Sequence, residues 1–225
     1  MAERFCFERR SRRLKGRARR ITIDLDPTDD PTHGAQQLSF LNSHYDSWCY
    51  LPNLVFLTFN DEPEPYRLTA VLRSGKAVAW MGARGILRRL LKKLRRAFPG
   101  VRIRIRLDGG FAEPELLDFL DAQPDVEYVV AMGKNAVLKR LARPPLGLAR
   151  RLSRQSGKTE HVYGECLYAT QKTWSHPRRR GLHKAPAPPL MGARATSPRS
   201  ADSRPFANCS ALAIPRRLTR RRHPQ

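Results

Sequence analysis

Asp24, Asp26 and Asp108 are the residues of this chain whose type and placement suit metal-assisted chemistry on a phosphate ester. Asp24 and Asp26 stand in ITIDLDPTDDPTHG, at the end of an alternating apolar run. Asp108 stands in RIRIRLDGGF, where a second alternating run breaks into two glycines. Hydrolysis or transfer of a phosphodiester uses divalent ions that activate the attacking oxygen and stabilise the leaving one. Mg²⁺ and Mn²⁺ prefer carboxylate and water oxygens. Such a site needs carboxylates from separate elements brought to one end of a sheet. Asp24 and Asp26 share a strand face, because side chains alternate. Gly109 and Gly110 permit a tight turn after Asp108. Singly, each aspartate also reads as an ordinary turn residue; the pair, on two candidate neighbouring strands, is what points to a site.

The elements that must position these residues follow from periodicity. Ile21, Ile23 and Leu25 alternate with polar residues and predict a strand, with DPTDDPTHG after it as a loop. Trp48 to Phe59 predicts one strand with an irregular start at Pro52, and Tyr66 to Arg73 another, joined by the turn NDEPEP. GILRRLLKKLRRAF predicts an amphipathic helix over 85–98, stopped by Pro99-Gly100. Val101 to Leu107 predicts a strand, Glu113 to Ala122 a helix and Val126 to Met132 an apolar strand. Ala136 to Arg154 is helical in pattern with a break near Pro144-Pro145, and Glu160 to Thr170 predicts a last strand. Three strands followed by alternating helices and strands imply an α/β fold, a mixed sheet with helices on its faces. Arg102, Arg104 and Arg106 share the face of Asp108 on what should be a central strand. That face meets DNA or an inserted region, or the arginine stems lie along the sheet.

Three zones differ in composition: a basic segment over 1–20, a globular region over 21–174, and an Arg/Pro-rich tail over 175–225 whose only carboxylate is Asp202. The tail is expected to be disordered. It reads either as a basic nucleic-acid-binding extension or, the favoured reading, as an out-of-frame translation. The formal net charge of +23 over 225 residues points to a polyanionic partner, nucleic acid first. Cys6, Cys49, Cys166 and Cys209 are far apart and form no CxxC. A zinc site or disulfide framework is therefore not expected, a reducing compartment fits, and the expected location is cytoplasmic. No apolar run is long enough to span a bilayer, so no membrane partner is expected. His33 and His44 read as polar loop residues, and the cations of 85–98 as the solvent side of a packed helix with DNA phosphates as the alternative.

The phrases IDLDPTDDPTHGAQQLSFLNSHYDSWCYLP, VLRSGKA, RRAFPGVRIRIRLDGGFAEPELLDFLDA and VEYVVAMGKNAVL occur in that order. Over Ile21 to Trp174 the chain resembles the catalytic domain of DDE-type insertion-sequence transposases. The resemblance implies an RNase H-like core and a two-metal Mg²⁺ (or Mn²⁺) site. It also implies DNA partners, namely transposon ends and target DNA, acted on by a homo-oligomer. Its first two metal ligands carry over to Asp26 and Asp108; Asp24 is a less fitting substitute, because Thr28 follows Asp26 as the family pattern asks. The family's third ligand, a glutamate on a later helix, has no counterpart here. The chain is therefore expected to be a truncated or frameshifted transposase, inactive alone. One rival is a non-catalytic basic nucleic-acid-binding protein. Another is a complete nuclease completed by Glu160 or Glu165, and a third is a product that does not fold stably.

Overall fold

The computed structural model describes residues 14, 16–34, 36–133, 135–170, 173–184 and 210–214. These fall into two compact units, one within Met1–Val130 and Ile214–Gln225, the other within Ala131–Ala213.

In the first unit, β1 (Arg20–Pro27) lies at the centre of a mixed sheet. It pairs antiparallel with β5 (Asn53–Phe59), and β5 pairs antiparallel with β6 (Tyr66–Val71). On its other side it pairs parallel with β7 (Arg102–Leu107), which pairs parallel with β8 (Val126–Met132). The order β6-β5-β1-β7-β8 puts three antiparallel strands beside two parallel ones, with α1 (Ala83–Ala97) and α2 (Pro114–Asp121) as the crossovers. This is the expected RNase H-like mixed sheet.

Alternation explains the sheet's two faces. Ile21, Ile23, Leu25, Ile103, Ile105 and Leu107 are buried on one side. Ile86, Leu87, Leu90, Leu91 and Leu94 of α1 and Leu116, Leu117 and Leu120 of α2 complete that core. Each fully buried side chain of this kind contributes about 1.5–3 kcal/mol of transfer free energy. Phe98, just past α1, stacks at 5.5 Å on Phe59 of β5, which ties the helix to this face. The opposite face is polar. There Asp24 and Arg106 are register partners on β1 and β7, and Arg106 grips both oxygens of Asp24 at 2.5 and 2.7 Å. Arg104 likewise meets its partner Glu127 on β8 at 3.0 Å. Arg104 and Arg106 of β7 are therefore carried by cross-strand carboxylates, and Arg102 is exposed at the start of the strand.

The run from Trp48 to Phe59 is two strands rather than one. β4 (Ser47–Tyr50) joins β2 (Asp30–Pro31) and β3 (Phe40–Asn42) in a separate small sheet. The chain breaks at Leu51–Pro52, where Pro52 has no N–H for a ladder and its carbonyl instead accepts from Thr28. Gly75 packs against this sheet. A Cβ there would stand 2.1 Å from the Cys49 carbonyl oxygen and 2.8 Å from that of Phe40. Arg73 locks the connection that follows. It donates to the carbonyls of Leu51, Val78, Ala79 and Met81 at 2.8–3.2 Å, and burial lowers its pKa.

In the second unit the helical stretch divides at Ala142 into α3 (Ala136–Leu141) and α4 (Arg143–Ser156). Pro144 and Pro145 lie in the first turn of α4, where no N–H is needed, so they start a helix rather than interrupt one. β9 (Val162–Tyr168) pairs antiparallel with β10 (Arg178–Lys184). Structure thus continues past Ser175, where the tail was expected to begin. Arg178 and Arg180 point inward, with Arg178 over Trp174 at 5.0 Å and Arg180 over Tyr168 at 5.8 Å. Arg180 also donates to the Met132 sulfur at 2.8 Å. Residues 210–214 form β11 (Ser210–Ile214). The rest of the expected tail, Asp202 included, lies outside the described residues, as does most of the 1–20 segment.

Gly75→Ala is expected to destabilise the chain by about 1–3 kcal/mol, because the colliding atoms are backbone and cannot rotate away. Urea unfolding followed by tryptophan fluorescence reads this as a lower midpoint at unchanged slope.

Candidate metal centre

The site lies at the carboxyl ends of β1 and β7. Leu25 and Leu107 are register partners, so Asp26 and Asp108 are the next residues out on two adjacent parallel strands. Neighbouring strands run about 4.8 Å apart, so the two aspartates start from adjacent backbone positions at the same end of the sheet. Both aspartates reach solvent at this end of the sheet, while surrounding residues partly enclose their carboxylates. Asp108 caps the 3₁₀ turn Gly109–Phe111, and its Oδ1 accepts the Gly110 N–H at 2.9 Å. That bond orients the carboxylate. Gly110 is required by close approach, since a Cβ would stand 2.6 Å from the Ala79 Cβ and 3.2 Å from Asp108 Oδ1.

Charge accumulates here. Burial first, then the charges of Asp108 and Asp24, push the Asp26 carboxyl above the usual aspartate range. Burial also pushes Asp108 up, against the opposing pull of the Gly110 N–H, His44 and the Phe111 N–H. Burial thus disfavours the charged form of both carboxylates, and for Asp26 the neighbouring carboxylates add to it. Asp26 and Asp108 are hard oxygen donors and the residues at this end of the sheet that could hold a divalent ion. Asp24 is near enough to act on Asp26, but both its oxygens are held by Arg106. Among the described residues, Asp26 and Asp108 belong to no group of three ligand atoms all within 4.8 Å of one another.

Two residues of the turn between β3 and β4 complete the surroundings. His44 acts on Asp108, and its ring meets that of Tyr45 edge-on at 4.8 Å. The Tyr45 hydroxyl donates to the Pro27 carbonyl at 3.5 Å. Burial, followed by Asp29, Asp26 and Asp108, raises its pKa and keeps it a donor. His44 was expected to be a plain loop residue and Tyr45 was not singled out. The signal available was the chemistry of NSHYDS, a polar turn carrying an imidazole and a phenol. His33 is exposed in the β2–β3 loop. In the second unit, Glu165 is exposed on β9 and gripped through both oxygens by Arg179 of β10, which lowers its pKa.

The model of the transposase DDE domain group 1 family matches residues 3–184. The chain belongs to this family. The match begins within the basic N-terminal segment and ends with β10, so it is wider than the stretch from Ile21 to Trp174. Among solved structures, the cryo-EM structure of piggyBac transposase in a synaptic complex with hairpin DNA is similar at 14% identity and a TM-score of 0.34. That alignment covers 78% of this chain and 34% of the piggyBac chain, so this chain spans about a third of that protein's length. No curated protein matches. Among the described residues of this DDE-family chain, no helix is long and apolar enough to cross a membrane.

Without metal, removing one charge should relieve the pair. Asp26→Asn is expected to stabilise the metal-free protein at neutral pH by about 1 kcal/mol at most, the discount being for its solvent access. The sign follows from linkage. An aspartate whose folded-state pKa is raised costs stability above that pKa, and the cost vanishes as pH falls below its unfolded value. The gain should therefore disappear in acid, as scanning calorimetry at two pH values would show.

Proposed function

We propose that this chain carries the metal-holding core of a DNA transposase, with Asp26 and Asp108 as ligands of Mg²⁺ or Mn²⁺. The observation that carries the reading is the parallel register of β1 and β7, which sets these two aspartates side by side at one sheet edge. Membership of the transposase DDE domain family supports it. A divalent ion bound there would supply Lewis-acid activation of a phosphodiester and of the attacking hydroxyl. The chain's own groups do the rest. The Gly110 N–H orients Asp108, Arg106 holds Asp24 out of the ligand set, and His44 and Tyr45 offer ring and hydroxyl groups beside the carboxylates. The partners proposed are transposon-end and target DNA, engaged by more than one copy of the protein.

The ends of β1 and β7 supply two carboxylates; of the candidate thirds, Glu165 is committed to Arg179 and Glu160 lies in the loop before β9. We therefore propose that this chain on its own binds metal and DNA without joining strands. In titration calorimetry, Mn²⁺ should bind, and Asp26→Asn or Asp108→Asn should weaken it about tenfold or more. Unchanged Mn²⁺ affinity in both variants would remove the metal-centre reading. With Mn²⁺ and duplex carrying inverted-repeat ends, no strand transfer is expected; transfer that depends on Asp26 would show the chain to be sufficient. A second reading, a basic nucleic-acid-binding protein without catalysis, is favoured by the net charge of +23. It requires DNA binding and no metal bound at the aspartates.

A further inference from the structure

The outer face of α1 carries Arg88, Arg89, Lys92, Lys93 and Arg96, all exposed. The helix sequence ARGILRRLLKKLRRA contains no acidic residue. Among the described residues, none of these five is in an ion pair. Arg84 pairs with Glu115 at 3.5 Å, and Arg95 is spent on Gln123 and the Pro124 carbonyl. The Arg88 guanidinium stacks 5.8 Å from the Phe119 ring of α2. Arg88, Lys92 and Arg96, with Phe119 and Gln123, line an open groove of about 660 Å³ between the two helices.

This arrangement has a cost within the fold. Cations at 88, 92 and 96, and at 89 and 93, face one another at the spacing where like charges repel. A surface packed only for solubility would interleave acids, as the sheet's polar face does with Asp24 and Glu127. An external polyanion removes the repulsion.

We propose that the α1 stripe is a second DNA-contacting surface, one that takes the phosphate backbone of a duplex apart from the carboxylate edge. At 1.5 Å per residue, Arg88, Lys92 and Arg96 stand about 6 Å apart over about 12 Å, enough to follow several phosphates of one strand or to bridge the minor groove. Arg88 is held ready by Phe119. A lipid surface fits less well, because a membrane-lying helix must offer its apolar face, and that face of α1 is buried in the core. The stripe also lies on the helical side of the sheet, away from the polar face that carries Asp24 and Arg106. The DNA it holds is therefore a separate segment, or a continued length, of the duplex whose phosphates reach Asp26 and Asp108. The identity of the polyanion rests on the transposase reading; the existence of the surface rests on α1.

The test uses the 225-residue chain, labelled duplex DNA and fluorescence anisotropy across about 50–200 mM salt. The triple variant Arg88→Gln, Lys92→Gln, Arg96→Gln should bind more weakly regardless of DNA sequence. The slope of log K against log salt should shrink by about 0.9 for each phosphate contact removed. Circular dichroism should be unchanged, since the three side chains are exposed. An unchanged slope in a folded variant would overturn the proposal. So would unchanged DNA binding together with lost binding to phosphatidylserine vesicles, which would assign the stripe to a membrane. A reduced slope in a protein whose aspartates bind no Mn²⁺ would support this surface while removing the metal-centre reading.

Discussion

The parallel pairing of β1 with β7 is the constraint on which the rest depends. Leu25 and Leu107 are the last partners of that ladder, and the step beyond them brings two aspartates together. The ladder holds because Ile21, Ile23, Ile103 and Ile105 are buried beneath α1 and α2. A one-residue slip of either strand would turn its two isoleucines to the polar face and put its aspartate out of step with the other. Core packing and chemistry are thus the same register read on two sides of one sheet.

The polar face is built to the same register. Arg106 meets Asp24 and Arg104 meets Glu127 across the ladder, so the cations that a buried strand could not carry are each answered. The arginine at 106 also decides which carboxylates stay free. Asp24 is saturated by its fork, whereas Asp26, two residues on, is left beside Asp108 at the edge. Burial above all raises the pKa of Asp26 and Asp108 there.

Much of this was legible in the sequence, for physical reasons. β1, β7, β8, α1 and α2 each bury one face, so their apolar residues recur at 2 or 3.6 and their limits were read to within a few residues. The placement of Asp26 and Asp108 at the ends of two adjacent strands was legible because each follows such a run. The small sheet of β2, β3 and β4 was missed because strands of two to four residues show no period. β10 was missed for another reason. Its inward positions are Arg178 and Arg180, covered by Trp174 and Tyr168 rings, which inverts the usual pattern of polar outside and apolar inside. His44 and Tyr45 reach the site through a turn whose docking depends on Gly75, a contact distant in sequence that no local pattern announces.

The claim that Asp26 and Asp108 jointly hold one divalent ion is tested most directly by placing a reactive metal there. The protein is loaded with Fe²⁺ and treated with ascorbate and peroxide, so that hydroxyl radicals cut the backbone around the bound ion. The cuts are then mapped by mass spectrometry. Two clusters of cuts are expected, at the end of β1 around Asp26 and in the turn after β7 around Asp108, both lost together in Asp26→Asn and in Asp108→Asn. Cuts confined to other segments, or cuts that survive both substitutions, would contradict the claim.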